Sequence, residues 1–298
     1  MRRKLIKQGG SGLTVYVPKR WVDLKGLKAG DEVDVAEENE RIVIARAGET
    51  RQLRKEVSFE TTSTSVIRST IASLYKAGYD EMILKFKEMP SMSSMNEIIN
   101  TFTGLEILSQ DKDSITIKCF LRLDEDETEK LINKMFQLTK LVVEEIKNEW
   151  DKADIDNLTT LVRINARKLR DHSLRTIHAS KYGGDKSYDY YDLVTVLEEI
   201  AAEFLFLAKN VKEKKLKDKS LIAPLSALLE EGHRCYLKRE MEAAQTYKLM
   251  LREHAKSTID LAVISSTIKK TDPLVFMSYY HIMRMYNHLS SRLISINS

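Results

Sequence analysis

The C-terminal part of the chain contains very little glycine or proline. From residue 124 onward there are only three glycines and two prolines, namely Gly183, Gly184, Gly232, Pro224 and Pro273. Because these two residue types most often interrupt helices, their scarcity favours long helices. Apolar residues recur there at three-and-four spacing, as in Leu131, Met135 and Leu138. This spacing indicates helices that pack through one apolar face.

Polar breaks divide this region into about six predicted helices. The breaks lie at Asp151 to Asp154, Tyr182 to Asp185, Lys212 to Ser220, Arg239 to Glu242 and Thr271 to Pro273. Short connections make neighbouring helices antiparallel. The sequence therefore predicts two three-helix bundles in tandem over residues 122–298.

The first 121 residues show a different pattern, with short alternating apolar runs. Up to Gly48 we predict four short strands, with one helical turn that begins at Pro18. Over residues 51–121 strand and helix patterns alternate, with helices predicted from Thr62 to Lys76 and from Ser91 to Phe102. The predicted fold class is a multidomain α+β protein. Its domains are a β-domain at residues 1–48, a small α/β unit at 51–121 and an all-α region at 122–298. The α/β unit is predicted to serve as a linker or in dimerisation, the alternative being a small-ligand pocket.

Charge is concentrated at the N-terminus. The net charge of the chain is +4, but the segment through Val22 has six basic residues and no acidic one. These six are Arg2, Arg3, Lys4, Lys7, Lys19 and Arg20. A local positive field of this kind is typical of segments that contact nucleic-acid phosphates. We predict that the six residues bind double-stranded DNA, the alternative being a solvated basic surface.

The N-terminal β-domain is also too small to bury a core of its own. Fewer than fifty residues cover little apolar surface, and short sheets leave unpaired edges. Either the next domain or a second copy of the chain must cover that surface, and a second copy is the more economical solution. We therefore predict a homodimer.

The N-terminal segment resembles a known DNA-binding domain. The run from Gly9 to Val22, followed by Leu24 and by Gly26 to Val33, is similar to the AbrB/SpoVT swapped-hairpin domain. In particular it resembles the version fused in archaea to a PhoU-like domain in phosphate-uptake regulators. The resemblance implies a homodimer whose interleaved hairpins form one DNA-binding face.

The helical region resembles the PhoU family, whose signature places two metal-binding carboxylates four residues apart. In the stretch from Leu197 to Glu203, Glu198 is retained and Ala202 replaces its partner, whereas Glu199 and Glu203 keep the spacing one residue later. That pair is the candidate metal site, with a solvated acidic flank as the alternative. A second stretch has Met283 and Asn287 at both carboxylate positions. We therefore expect the family's metal clusters to be reduced or absent, and we predict no cofactor.

No catalytic motif is recognisable. The six histidines lack metalloprotease spacing, and the adjacent Asp171, His172 and Ser173 would point in divergent directions on a helix. We expect a protein that is not an enzyme. Apolar runs fall short of the ~18 residues of a membrane span, and Met1 is followed by charged residues, so we expect a cytoplasmic protein without membrane insertion.

These features predict a homodimeric transcription regulator of phosphate uptake or phosphate response. One alternative is a PhoU-type adaptor that docks on a phosphate transporter or signalling protein without sequence-specific DNA binding. A second is an antitoxin, because antitoxins use the same β-domain. Such proteins usually end in a short disordered tail, whereas this chain continues into a predicted helical bundle.

Overall fold

The computed structural model describes residues 2–8, 12–38, 41–46, 53–121, 125–217, 219–259 and 272–298. Two compact units are present, Met1–Gln52 and Leu53–Ser298. N-terminal strands and a large helical C-terminal part confirm the mixed α+β class. The sequence also predicts a strand connection over Gly9 to Gly12 and a polar turn over Glu38 to Glu40. Of these, Gly9 to Ser11, Asn39 and Glu40 lie outside the described residues.

The first unit consists of two antiparallel hairpins joined by a helical turn. Strands β1 (Ile6–Gln8) and β2 (Gly12–Thr14) pair, as do β3 (Val33–Glu38) and β4 (Arg41–Arg46). Helix α1 spans Lys19–Leu24. The carbonyl oxygen of Pro18 accepts the N–H groups of Trp21 at 2.9 Å and Val22 at 3.1 Å, which closes the first helical turn. The four predicted strands and the helical turn after Pro18 are confirmed.

The second unit begins with a four-stranded sheet in the order β5-β6-β8-β7. Its strands are β5 (Arg54–Phe59), β6 (Glu81–Phe86), β7 (Leu105–Gln110) and β8 (Ser114–Cys119). Helix α2 (Thr64–Lys76) connects the parallel pair β5 and β6, and α3 (Met92–Ile99) precedes β7. Buried residues of α2, the sheet and α3 form one apolar core. The predicted α2 is confirmed almost to the residue, while α3 ends three residues earlier than predicted.

Six helical segments follow within the described residues. The first is α4 (Glu125–Asn148). The second is a continuous helix in which a π-helical turn (Leu161–Ala166) joins α5 (Ile155–Thr160) to α6 (Arg167–Ser180). The remaining four are α7 (Ser187–Lys214), α8 (Ile222–Lys238), α9 (Met241–Ile259) and α10 (Pro273–Asn297). Asp154 and Asp272 cap α5 and α10 by accepting backbone N–H groups. The predicted breaks fall between these segments. Residue 271 of the last break lies outside the described range.

Helix α7 is the central element of the helical region. It packs on α4, α6 and α10, and its apolar residues lie in one core shared by all these helices. Among the described residues, none of the helices has the length and apolar composition needed to cross a membrane.

A buried arginine joins the sheet layer to the helices. Arg175 of α6 is 1% exposed, and its guanidinium donates to the carbonyl oxygens of Tyr75 at 2.9 Å and Tyr79 at 2.8 Å. It also forms an ion pair of 2.7 Å with Asp80. Tyr75 lies in the last turn of α2, and Tyr79 and Asp80 lie between α2 and β6. A buried cation is tolerated because all of these acceptors face it.

Replacement of this arginine should strongly destabilise the second unit. In Arg175→Ala the Asp80 carboxylate and the two carbonyl groups lose their shared donor, so we expect a loss of about 3 kcal/mol in the free energy of unfolding. Urea unfolding of the full chain measures it. The exposed Arg163→Ala serves as the control and should change stability by less than about 0.5 kcal/mol. Equal midpoints for the two variants would contradict the structural role of Arg175.

Candidate nucleic-acid interface

The six predicted DNA-binding residues are all exposed in the first unit. Arg2, Arg3 and Lys4 precede β1, Lys7 lies in β1, and Lys19 and Arg20 begin α1. Within the described residues, none of the six forms an ion pair. Their charges therefore remain available to an external polyanion.

The position of Lys19 and Arg20 is unfavourable for the helix itself. Both lie in the first turn of α1, where the exposed N–H groups already carry partial positive charge, and this turn contains no acidic residue. Basic side chains are normally stabilising at the opposite end of a helix. Helix stability therefore does not explain why these two residues stand here, whereas contact with phosphate groups would.

The first unit also exposes its apolar side chains. None of its side chains that the structure describes is buried, and Leu13, Val35 and Ile42 are each more than 60% exposed. Val35 lies opposite Ile44 in the β3–β4 hairpin, and Ile42 follows two residues along on the same face. Within the described residues, one face of this hairpin thus carries exposed apolar side chains.

Comparison with known proteins gives a family match for the first unit. Residues 6–52 match a family model described as "Antidote-toxin recognition MazE, bacterial antitoxin". The matched segment contains both hairpins and α1. The N-terminal domain is therefore of the MazE/AbrB type, which is consistent with the predicted swapped-hairpin DNA-binding domain and with a DNA-binding regulator.

The match covers only the N-terminal segment, and the predicted resemblance of the helical region to PhoU has no support from it. No curated protein and no solved structure matches the chain. The helical region is therefore interpreted from its own side chains.

The candidate metal ligands lie on α7 but do not form part of a larger ligand cluster. Glu203 faces His281 of α10 with 3.8 Å between Oε1 and Nδ1, while the Glu199 side chain is only partly exposed to solvent. Partial burial and the nearby carboxylates of Glu198 and Asp192 raise the pKa of Glu199. Among the described residues, no three His, Cys, Asp or Glu side chains are grouped so that they could hold a metal ion. Metal binding by Glu199 and Glu203 stays a prediction.

Glu198, the carboxylate retained from the PhoU signature, has a different set of neighbours. It is buried and accepts Nη1 of Arg170 at 2.7 Å, with Nε of Arg167 at 3.5 Å. Arg170 also bonds the buried Asp171, which in turn faces Arg68 of α2 at 3.5 Å. Glu198 thus takes part in an ion-pair network that links α7, α6 and α2.

The tertiary structure also brings together three cations, two of which no sequence motif singled out; the third, Arg284, is a residue that the second PhoU-like stretch retains. Lys248 and Arg252 of α9 and Arg284 of α10 line one cleft, together with Glu199. For Lys248 and Arg252 the only signal in the sequence was their four-residue spacing, which is common on solvated helices.

Removal of basic residues from the first unit should weaken binding to every DNA duplex. In the Lys4→Ala, Lys7→Ala, Arg20→Ala triple variant we expect the slope of log K against log salt to become shallower by about 0.9 for each phosphate that is no longer neutralised. Fluorescence anisotropy over a salt series measures this slope.

The control removes the same charge from the second unit, through Lys112→Ala, Lys130→Ala and Lys152→Ala at exposed positions. Its affinity and slope should match those of the original chain. If both triple variants behave alike, the six N-terminal cations are not the DNA-binding residues.

Proposed function

We propose that this protein is a DNA-binding transcription regulator that acts as a homodimer and is not an enzyme. The single observation that carries the proposal is a MazE/AbrB-type domain with six exposed cations that pair with no carboxylate of the described residues. Phosphate contacts by such cations position a protein on duplex DNA without reading the sequence. Base-specific contacts would come from the same surface once two copies form it.

The homodimer is supported by the lack of a core among the described residues of the first unit. A domain whose described side chains are all at least partly exposed cannot gain enough burial to fold stably alone. In the proposed dimer the apolar face of Val33, Val35, Ile42 and Ile44 would meet the same face of the second copy, as two-fold symmetry requires. Two copies would also double the number of cations on one DNA-binding face.

The proposed signal is phosphate, through a PhoU-like helical region. Support comes from the resemblance of the stretch from Leu197 to Glu203 to the PhoU signature, and from the six long helices in which two tandem bundles could be arranged. In this proposal the helical region senses phosphate status and alters occupancy of the DNA. A phosphate transporter or signalling protein would be a further partner.

Two other functions remain candidates. An adaptor would dock on a phosphate transporter or signalling partner and use the N-terminal unit only for dimerisation. An antitoxin is favoured by the match of residues 6–52 to an antitoxin family. Against the antitoxin, the matched segment is followed by a second unit, Leu53–Ser298, with two apolar cores of its own.

Mapping of the bound DNA across the genome, with phosphate plentiful and scarce, tests the proposed function. A regulator should occupy a small set of sites that changes with phosphate supply. Association with membrane proteins without site-specific DNA occupancy would favour the adaptor. A co-purified toxin encoded beside the gene would favour the antitoxin.

Charged residues on the apolar face of the first unit should break the dimer. In the Val35→Glu, Ile42→Glu double variant two carboxylates replace apolar side chains on the proposed interface, and we expect the mass in solution to fall to the 34.3 kDa of one chain. Sedimentation equilibrium measures the mass. DNA affinity should fall with it.

A matched control is Leu108→Glu, which places a carboxylate at an exposed apolar position of the second unit. It should keep the mass of two chains and the original DNA affinity. A double variant that remains dimeric and binds DNA normally would refute this interface.

A further inference from the structure

A cleft of about 880 Å³ is lined mainly by α9 and α10 of the second unit. The two helices are antiparallel, as two contacts between them show. His254 Nε2 lies 2.6 Å from the Tyr279 hydroxyl, and Lys248 Nζ lies 2.7 Å from Oδ1 of Asn287. The volume falls within the range of about 300–1,000 Å³ that is typical of small-molecule sites.

Three cations of this cleft are not neutralised by any carboxylate that the structure describes. Lys248 donates to uncharged groups, Asn287 and Ser291. Arg252 and Arg284 have exposed side chains and make no ion pair within the described part of the chain. Arg252 of α9 and Arg284 of α10 both line the cleft, so each of the two helices contributes one guanidinium group to it. The cleft therefore carries a concentrated positive charge.

Two other basic side chains of this cleft, Arg292 and His288, already face carboxylates. The excess positive charge of the cleft therefore lies elsewhere. Arg292 bonds Asp189 and Asp192 at 2.7 Å each, and Asp192 also faces His288 at 2.8 Å. Glu199 is the one carboxylate among the described lining residues. The unneutralised charge thus lies at Lys248, Arg252 and Arg284.

This arrangement favours an anion with several charges. Burial lowers the pKa of Lys248, so the surroundings do not compensate its charge. Arginine presents a planar fork of N–H donors that matches phosphoryl oxygens bidentately. Two arginines from different helices and a lysine in the same cleft are suited to more than one phosphoryl group.

The remaining walls fit an organic group. Tyr280, Met283 and Met285 line the cleft beside the cations. Thioether and aromatic side chains pack well on planar rings. The volume also exceeds what an inorganic phosphate would fill. An amphipathic ligand, charged at one end and apolar at the other, would use both kinds of surface.

We propose that this cleft binds a phosphorylated organic anion of nucleotide size, with its phosphoryl groups on Lys248, Arg252 and Arg284. The inference stands whether or not the first unit binds DNA. Met283 and Asn287, which occupy the carboxylate positions of the second PhoU-like stretch, both line this cleft. Cations thus dominate where that signature would place acidic metal ligands.

Isothermal titration of the full chain with ADP, without DNA, tests the proposal. We expect one saturable site per chain. The Arg252→Gln, Arg284→Gln double variant should weaken it by about tenfold or more for each guanidinium removed, since hydrogen bonds to charged groups contribute this much. Both residues are exposed, so thermal unfolding of the variant without ligand should match the original chain.

Two controls locate the site. Arg163→Gln with Lys209→Gln removes the same charge from exposed positions outside the cleft, and it should bind ADP normally. The N-terminal triple variant Lys4→Ala, Lys7→Ala, Arg20→Ala should also bind normally. Equal ADP affinity in the double cleft variant and the original chain would overturn the proposal, as would the absence of ADP binding at about 1 mM.

Further titrations separate the parts of the ligand. Pyrophosphate should bind more weakly than ADP, because it leaves the apolar wall unused, and adenosine should bind more weakly because it lacks phosphoryl groups. Orthophosphate that binds as tightly as ADP would overturn the organic part of the inference. Adenosine that binds as tightly as ADP would overturn the role of the cations.

Discussion

The charge of Arg175 can be buried only where the sheet layer and the helices meet. Its guanidinium needs several acceptors once water is excluded, and they come from Tyr75, Tyr79 and Asp80 at the turn between α2 and β6. A second buried network, through Asp171 and Glu198, ties α2 to α6 and α7. These polar contacts fix how the layer sits on the helices, since apolar packing alone tolerates other orientations.

The two units meet the requirement of burial in opposite ways. The second has two apolar cores, one around α2 and the sheet and one around α7. The first has short hairpins whose described side chains are all at least partly exposed. The first unit has both an apolar face and an exposed basic segment. This combination is consistent with a MazE/AbrB-type domain, since domains of this type bind DNA and are often dimeric.

Charge is arranged differently in the two regions proposed to bind phosphate groups. In the first unit the cations are open to solvent and belong to a contiguous stretch of sequence, which suits the extended backbone of a duplex. In the second, Lys248, Arg252 and Arg284 surround a cleft with an apolar wall. A small ligand could be enclosed there. A regulator with both would have separate surfaces for DNA and for an effector.

The sequence by itself determined the elements and their class. Helices α2 and α7 and the breaks between long helices follow from apolar spacing and from capping residues such as Asp154, because these signals act within one or two turns. The basic N-terminal segment could also be recognised from the sequence alone, since its residues lie close together in the chain. Only the tertiary structure decided which residues distant in sequence contact one another. The partners of Arg175 and Glu198 and the convergence of Arg252 with Arg284 are examples. Contacts of this kind have no local signal, because they arise only when helices pack on one another.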